Sequence, residues 1–386
     1  MLARGIRSRE SNGGIPSIPI YTKDVMTTLS VAKAIYDAGV YVNPVLPPAV
    51  PESDCLLRTS YMAIHTEALL DEALDGIDES NSKRIDKYDI YYTGDMAKWR
   101  RLGNSLKLKF YMYLANKEDV GDEIKAIIDG GELMNSSADD FVFPFYTTPG
   151  NQNPNYQLTV QYPDYYEYCF FANPTVLDPM KALDDPRIPI YFRANADGEY
   201  ISLEASEKGS VVTDKEISEK PSLCTEAVFQ KNNLLRADYP DVICSYAETM
   251  FYVAEAYVRG LGVAKDLAQA DAAYRKGIEA SCVYNGVAAA TAASFAAGVP
   301  SLSTLGGDDK ALEAIASQQR IEMMMRPLEA WSNQRRTGYP ALEVPASIRN
   351  FYPGIMHRWP YPEREGSVND NVPHVDGVWT KMWFEN

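Results

Sequence analysis

Ser245-Tyr-Ala-Glu248-Thr-Met-Phe251-Tyr-Val-Ala254-Glu-Ala256-Tyr257, a short glycine-containing turn, and then Ala270-Asp-Ala-Ala-Tyr274-Arg-Lys-Gly277-Ile-Glu-Ala-Ser281 is the stretch that decides the fold. Small residues (Ala254, Ala256, Ala272, Gly277) alternate with large ones (Tyr257, Tyr274, Ile278). That spacing lets two antiparallel helices approach closely, with bulky side chains seated against small ones. The expected helices cover 245–259 and 266–283.

Outward from this hairpin the helical periodicity recurs. A helix is expected over 308–325 and, upstream, over 22–39, 54–76, 96–116 and 118–129. Asp95 is placed to cap the helix at 96, and Trp99, Leu102, Leu106 and Tyr113 recur at three- and four-residue steps as its buried stripe. Residues 135–240 change character: prolines, asparagines and aromatics replace the helical period. A hundred residues of that kind in a helical protein are long functional loops or an inserted subdomain, and ligand-facing surface is expected there. The tail, 340–386, is again loop-rich. The fold class read from this is mainly α, with tetratricopeptide-like hairpins in about 22–130 and 245–326 and a loop-rich irregular half, all in one domain spanning 1–386.

Composition narrows function. With 37 basic and 53 acidic side chains the net charge is -16, which repels phosphate backbones and argues against nucleic acid as a partner. Twenty-six tyrosines against twelve phenylalanines suit half-wet surfaces, since a phenol joins an apolar face to a polar tip. Five scattered cysteines without a CxxC pair argue against a disulfide framework and a zinc site, so free, mostly buried thiols are expected. Three dispersed histidines offer no metal cluster, and the spacing of a recognised calcium loop is absent. There is no GxSxG, HExxH or P-loop, so no catalytic residues, metal or cofactor are expected. Asp184-Asp185-Pro186-Arg187 reads as a loop entry with an internal ion pair rather than a catalytic carboxylate pair. No apolar run approaches the ~20 residues needed to cross a bilayer.

The strongest binding candidate is Asn151-Gln-Asn153-Pro-Asn155-Tyr156, continuing through Tyr162, Tyr165, Tyr166 and Tyr168. Sugar rings stack their apolar faces on aromatic rings, while amides and phenols bond the hydroxyl rim. Asn153, Asn155, Tyr156, Tyr162, Tyr165 and Tyr166 are therefore the candidate ligand-binding residues. Two readings stand side by side: these rings anchor a long loop to the helices, or at least two of them meet ligand.

Four segments, in order, resemble the SusD/RagB family of bacterial surface nutrient-binding proteins, in its SusD-like branch. They are Asp89-Ile-Tyr-Tyr92-Thr-Gly94-Asp95-Met-Ala-Lys-Trp99 running on to Asn104-Ser105-Leu106-Lys-Leu108; Ser245-Tyr246-Ala247-Glu248 with Ala254-Glu255-Ala256; Gln319-Arg-Ile-Glu322 with Glu329-Ala330-Trp331 and Arg335-Arg336-Thr337-Gly338-Tyr339-Pro340; and Arg358-Trp-Pro-Tyr361-Pro362-Glu-Arg-Glu365 with Asn369, Asn371, Trp379 and Trp383. Asp95, Trp99, Asn104, Trp331 and Arg335 read as scaffold, with Arg335 and Arg336 bonded to nearby carboxylates. The resemblance implies a non-catalytic receptor that captures a glycan or oligosaccharide, or a peptide, and passes it to a SusC-like TonB-dependent transporter. It also implies an outward-facing position at the outer membrane, lipid-anchored through a cysteine. The first cysteine here is Cys55 and no secretory leader begins the chain, so the anchor and first helices are expected upstream of a truncated start. The alternative is a cytoplasmic helical-repeat scaffold that binds peptides; a third reading is a carbohydrate-active enzyme.

Overall fold

The decisive stretch forms the expected hairpin. In the computed structural model, α7 (Tyr246–Arg259) and α8 (Leu267–Tyr284) pack along their length. Ser245 caps α7, its hydroxyl accepting from the Glu248 N–H at 3.0 Å; Gly260 ends it in the left-handed region at φ 68°, and Asp266 caps α8. The close approach depends on Gly277, where a Cβ would lie 2.7 Å from the fully buried Phe251 ring.

The structure describes residues 17–21, 24–37, 43–47, 49–60, 89–163, 169–204, 226–344, 349–351, 353–369, 371–373 and 375–385. They fall into two units, Met1–Arg100 and Arg101–Asn386. In the first, β1 (Ser17–Tyr21), α1 (Val25–Asp37), β2 (Asn43–Val45) and β3 (Leu56–Ser60) form an antiparallel sheet of order β1-β3-β2 with one helix. The helix expected at 22–39 is present as α1. That expected at 54–76 is not helical where it begins, since β3 pairs there with both other strands; residues 61–88 lie outside the described set. Leu-Leu-Arg-Thr-Ser is a short run in which helix and strand periods are indistinguishable, and pairing decides. Further along, the Asp89 carboxylate organises a tight turn. It accepts from the Tyr91, Tyr92 and Gly94 N–H groups and from the Trp99 indole at 2.8 Å, with Tyr91 and Tyr92 edge-on to that indole. Partial burial raises its pKa, but these four donors outweigh that and hold it below the usual carboxylate range.

The second unit contains most of α2 (Met96–Leu114), then α3 (Gly121–Gly130), β4 (Phe141–Phe143), α4 (Pro154–Gln161), α5 (Pro174–Ala182), α6 (Ile188–Tyr191), β5 (Phe192–Arg193), β6 (Val228–Phe229) and β7 (Asp241–Cys244) ahead of the hairpin. After it come α9 (Ala289–Gly298), α10 (Asp308–Glu322), α11 (Pro327–Thr337) and α12 (Glu363–Val368). The fold is mainly α, with twelve helices among the described residues and only short sheets. Leu102 of the predicted α2 stripe is buried, but Leu106 and Tyr113 are half-exposed and Leu108 and Met112 carry the core contact instead. Gly121–Gly130 and 308–322 match their expected positions, whereas α9 and the helical state of 327–337 were not anticipated.

One apolar core surrounds α7, α8 and α10; a second gathers Val176, Leu177, Met180, Tyr191, Phe192 and Leu234 in the irregular half. Arg187 joins them. It is fully buried, pairs with Asp185 at 2.5 Å, and donates to Ser281 on α8 and Gln318 on α10. The Asp-Asp-Pro-Arg segment is thus the internal ion pair expected of it. Cys244 and Cys282 are buried free thiols, Cys55 is buried and Cys169 is exposed; Cys224 lies outside the described residues.

Replacing Gly277 by alanine forces a methyl into Phe251. Overpacking of that kind costs roughly 1–3 kcal/mol, and the better helix propensity of alanine returns at most about 1. Urea denaturation of Gly277→Ala is expected to show a loss of about 1 kcal/mol, partly restored when Phe251→Leu is added; unchanged stability would mean the helices separate freely.

Candidate functional site

The predicted Asn-rich segment folds into the N-terminus of α4. Asn153 is its cap, the side-chain oxygen accepting from the Asn155 N–H at 2.8 Å, and Pro154 supplies the first helical position. The Asn153 amide donates to the Tyr239 carbonyl at 2.8 Å and its backbone N–H to Ala237 at 2.8 Å. Asn153 is consequently buried and spent on structure. Asn155 and Tyr156 are half-buried, and Tyr162, just past the helix, is 49% exposed. Tyr165 and Tyr166, with Tyr168, lie outside the described residues.

Asn153 and Asn155 line a cavity of about 180 Å³. Its walls come from both sides of the fold: Asp140 and Phe145 around β4, Tyr239 and Asp241 at the start of β7, Tyr284 and Asn285 at the end of α8, and Glu322 and Arg326 at the end of α10. The β4–β7 pairing, which matches Phe141 with Cys244 and Phe143 with Asp241 across a bulge, brings Asp140 to the first turn of α7. There one carboxylate oxygen accepts from the Tyr246 N–H at 2.6 Å. Asp140, Tyr239, Tyr284, Glu322 and Arg326 were not singled out from sequence as a site; the Asp139-Asp140 doublet beside an aromatic strand and the Ser245-x-x-Glu248 cap were the available signals.

Behind the cavity lies a buried ionic network. Arg326 bonds Glu248 at 2.6 Å and also Glu322; Lys109 bonds Glu248 at 3.0 Å and Glu329 at 2.5 Å; the Ser245 hydroxyl donates to Glu322 at 2.7 Å. Burial raises the Glu248 pKa, but Lys109 and Arg326 overcome this and hold it at about 2. Glu322 moves the other way, because burial and the neighbouring Glu248 outweigh its share of Arg326. Burial likewise pushes Asp140 to about 7, with Glu322 adding to it and the Tyr246 N–H and Arg326 opposing.

The other scaffold residues fall as expected in place, but not all in chemistry. Trp99 bonds Asp89, Asn104 donates to the Glu132 carbonyl, and Trp331 donates to the Met356 carbonyl. Arg336 makes the expected carboxylate bonds, two at 2.7 Å to Glu255. Arg335 makes none: it lies 3.9 Å over the Trp331 ring and donates to the His357 carbonyl, and burial lowers its pKa. Adjacent helical positions point about 100° apart, so only one of the pair faces α7.

Among the described residues no group of three or more His, Cys, Asp or Glu has the arrangement to hold a metal ion, and no helix is long and apolar enough to cross a membrane.

A family model described as starch-binding, associating with the outer membrane (SusD-like_2), matches residues 61–362. A SusD homologue from Bacteroides vulgatus shares the fold at a TM-score of 0.67 and 19% identity, over 93% of this chain and 78% of that one. A SusD homologue from Bacteroides fragilis aligns at a TM-score of 0.62 and 21% identity, over 93% and 83%. A chitin-binding protein aligns at a TM-score of 0.66 and 22% identity, over 82% and 71%. At these identities the structures show a common fold. Among curated proteins, the serine palmitoyltransferase of Bacteroides thetaiotaomicron is 43% identical over 60 residues, 16% of this chain and 15% of that enzyme. The chain therefore spans about 15% of the length of the curated relatives it matches.

Folding stability carries the signature of Asp140. Its unfolded carboxyl ionises near 3.8 and its folded one near 7, so the folded state holds the extra proton between these values. The contribution is present below 3.8, is lost as pH rises and is gone above 7, a swing on the order of 2–4 kcal/mol at about 1.4 kcal/mol per unit. Glu248, depressed from 4.5 to about 2, acts oppositely and only below 4.5. Asp140→Asn, which keeps the acceptor for Tyr246, is expected to flatten the urea stability profile between pH 4.5 and 8 and to exceed the parent at pH 8. A slope equal to the parent's would show that Asp140 is already ionised.

Proposed function

Because the chain belongs to the SusD-like family of starch-binding proteins that associate with the outer membrane, we propose that it is a non-catalytic receptor for a glycan or oligosaccharide, which it delivers to a SusC-like TonB-dependent transporter. The supporting observation is the meeting, at one cavity, of amide and phenol groups from Asn155, Tyr239 and Tyr284 beside a helix that leaves Tyr162 exposed. Amides and phenols serve hydroxyl rims and exposed rings serve sugar faces. Attachment through a lipidated cysteine completes this reading of an outward-facing protein. A peptide ligand is the competing possibility for the same surface.

The acyltransferase-like stretch is 60 residues long and the family match begins at residue 61. We attach no acyltransferase activity to a match that covers 16% of this chain and 15% of such an enzyme. Deleting residues 1–60 is expected to leave glycan binding within about two-fold of the parent, since the cavity lies wholly in the second unit; loss of binding in a folded protein would give the first unit a part in it.

The test of the receptor reading is native electrophoresis through gels containing starch, chitin derivatives and other neutral polysaccharides. Retardation by one of them is expected, insensitive to salt because a neutral ligand releases few counterions. Tyr162→Ala, Tyr165→Ala and Tyr166→Ala are each expected to weaken it about 2- to 10-fold, the worth of one stacked ring. Absence of retardation by every glycan, with a peptide bound instead, would replace the ligand class.

A further inference from the structure

The cavity holds one group that a neutral sugar leaves uncompensated. Asp140 is 9% exposed, and among the described residues only one of its carboxylate oxygens has a hydrogen-bond donor, the Tyr246 N–H. The Tyr284 hydroxyl, from the α8 side of the same cavity, is buried without a partner. Three carboxylates, Asp140, Asp241 and Glu322, line the space against one cation, Arg326, and that guanidinium is already bonded to Glu248 and Glu322. The other charges near Asp140 do not help. Asp139 beside it is occupied by Arg101 in a two-point bond, with both distances 2.8 Å. On the β7 side, Arg236 is paired with Asp238 and lies over the Tyr239 ring. The rest of the lining includes three aromatic rings, Phe145, Tyr239 and Tyr284.

An open carboxylate oxygen among aromatic rings is the chemistry that recognises an organic ammonium: the ring faces attract the cation, and the carboxylate and the phenol oxygen accept its N–H groups. The space, about 180 Å³, has room for one six-membered ring, since a cavity of roughly 150 Å³ accepts benzene. We propose that this cavity binds a sugar residue carrying a free, protonated amine, held by Asp140 and Tyr284 within the ring-lined walls. The proposal rests on the glycan-receptor reading and names the sugar class within it. Burial keeps the Tyr284 phenol protonated at neutral pH, and the Asp140 carboxyl, at about 7 when the cavity is empty, ionises to meet the amine.

The test is isothermal titration of the full chain with glucosamine oligomers and with their N-acetylated counterparts, at pH 5 and pH 7. The free-amine oligomers are expected to bind at least 10-fold more tightly at pH 7, with most of that preference lost at pH 5 as Asp140 protonates. Asp140→Asn is expected to abolish the preference, and Tyr284→Phe to reduce it several-fold, with the far-ultraviolet dichroism of both unchanged. Equal or tighter binding of the acetylated oligomers would overturn the amine assignment and leave the receptor reading in place. Failure to bind either series, or any neutral glycan, would overturn both. A free-amine preference that survives intact in Asp140→Asn would place the amine elsewhere and refute this site.

Discussion

Two glutamates on α7, Glu248 and Glu255, are seven residues apart and so share one face two turns apart. Both are buried, and each is met by cations from other helices: Glu248 by Lys109 of α2 and by Arg326 at the α10–α11 junction, Glu255 by Arg336 of α11. Four helices are registered by these contacts. Desolvating so many charges leaves little net stabilisation, but removing one partner from a buried pair costs roughly 3–5 kcal/mol, because the other is then stranded. The network therefore fixes which face of each helix turns inward. Arg336 illustrates the demand, since it also bonds Asn333 and the Met112 carbonyl and lies near the Tyr113 and Tyr252 rings.

The same network shapes the cavity. Arg326 is the point of contact between them, and with both of its carboxylate partners held it contributes a fixed wall rather than a free charge. Ser245 performs a similar double duty, capping α7 through its lone pairs while donating to Glu322. Asp140 stands just outside this arrangement. It is near enough to feel Glu322 and close to the N-terminus of α7, yet it has one backbone donor where Glu248 has two cations. The contrast between the two carboxyls, one held at about 2 and the other raised to about 7, follows from partner count at comparable burial.

The hairpin was legible because its pattern is long and its small residues, Gly277 among them, mark close packing; that Phe251 is the ring seated against Gly277 comes from the structure. Capping was legible at Asp95, whose carboxylate accepts from the Lys98 N–H, since a cap is a local rule. The site was legible only in part. Asn153 and Asn155 do reach the cavity, but Asn153 is consumed by the α4 cap and by Tyr239, which lies 86 residues away in sequence and carries no local mark. Asp140, Tyr284 and Glu322 come from three separate elements, and no spacing rule joins them. The error at 56–60 has a different origin, because a run of five residues takes its state from the strands that pair with it. At Arg335 and Arg336 the residue type was read correctly, but helical phase sends one to a carboxylate and the other onto an indole.

A loop-rich half can remain ordered without long sheets only if side chains bond the backbone that sheets would otherwise satisfy. Gln230 reaches the Pro189 and Phe192 carbonyls, Asn233 the Ile190 carbonyl, and Asn153 the Tyr239 carbonyl. Arg187 then fastens this framework to the hairpin through Ser281 and to α10 through Gln318. Ser281 lines the cavity as well, so the anchor of the irregular half and the wall of the site meet at one residue of α8. The asparagines and glutamines that gave 135–240 its irregular composition are, for the most part, the bonds that hold it. The groups left for a ligand are those few, Asp140 and Tyr284 above all, that this bonding does not use.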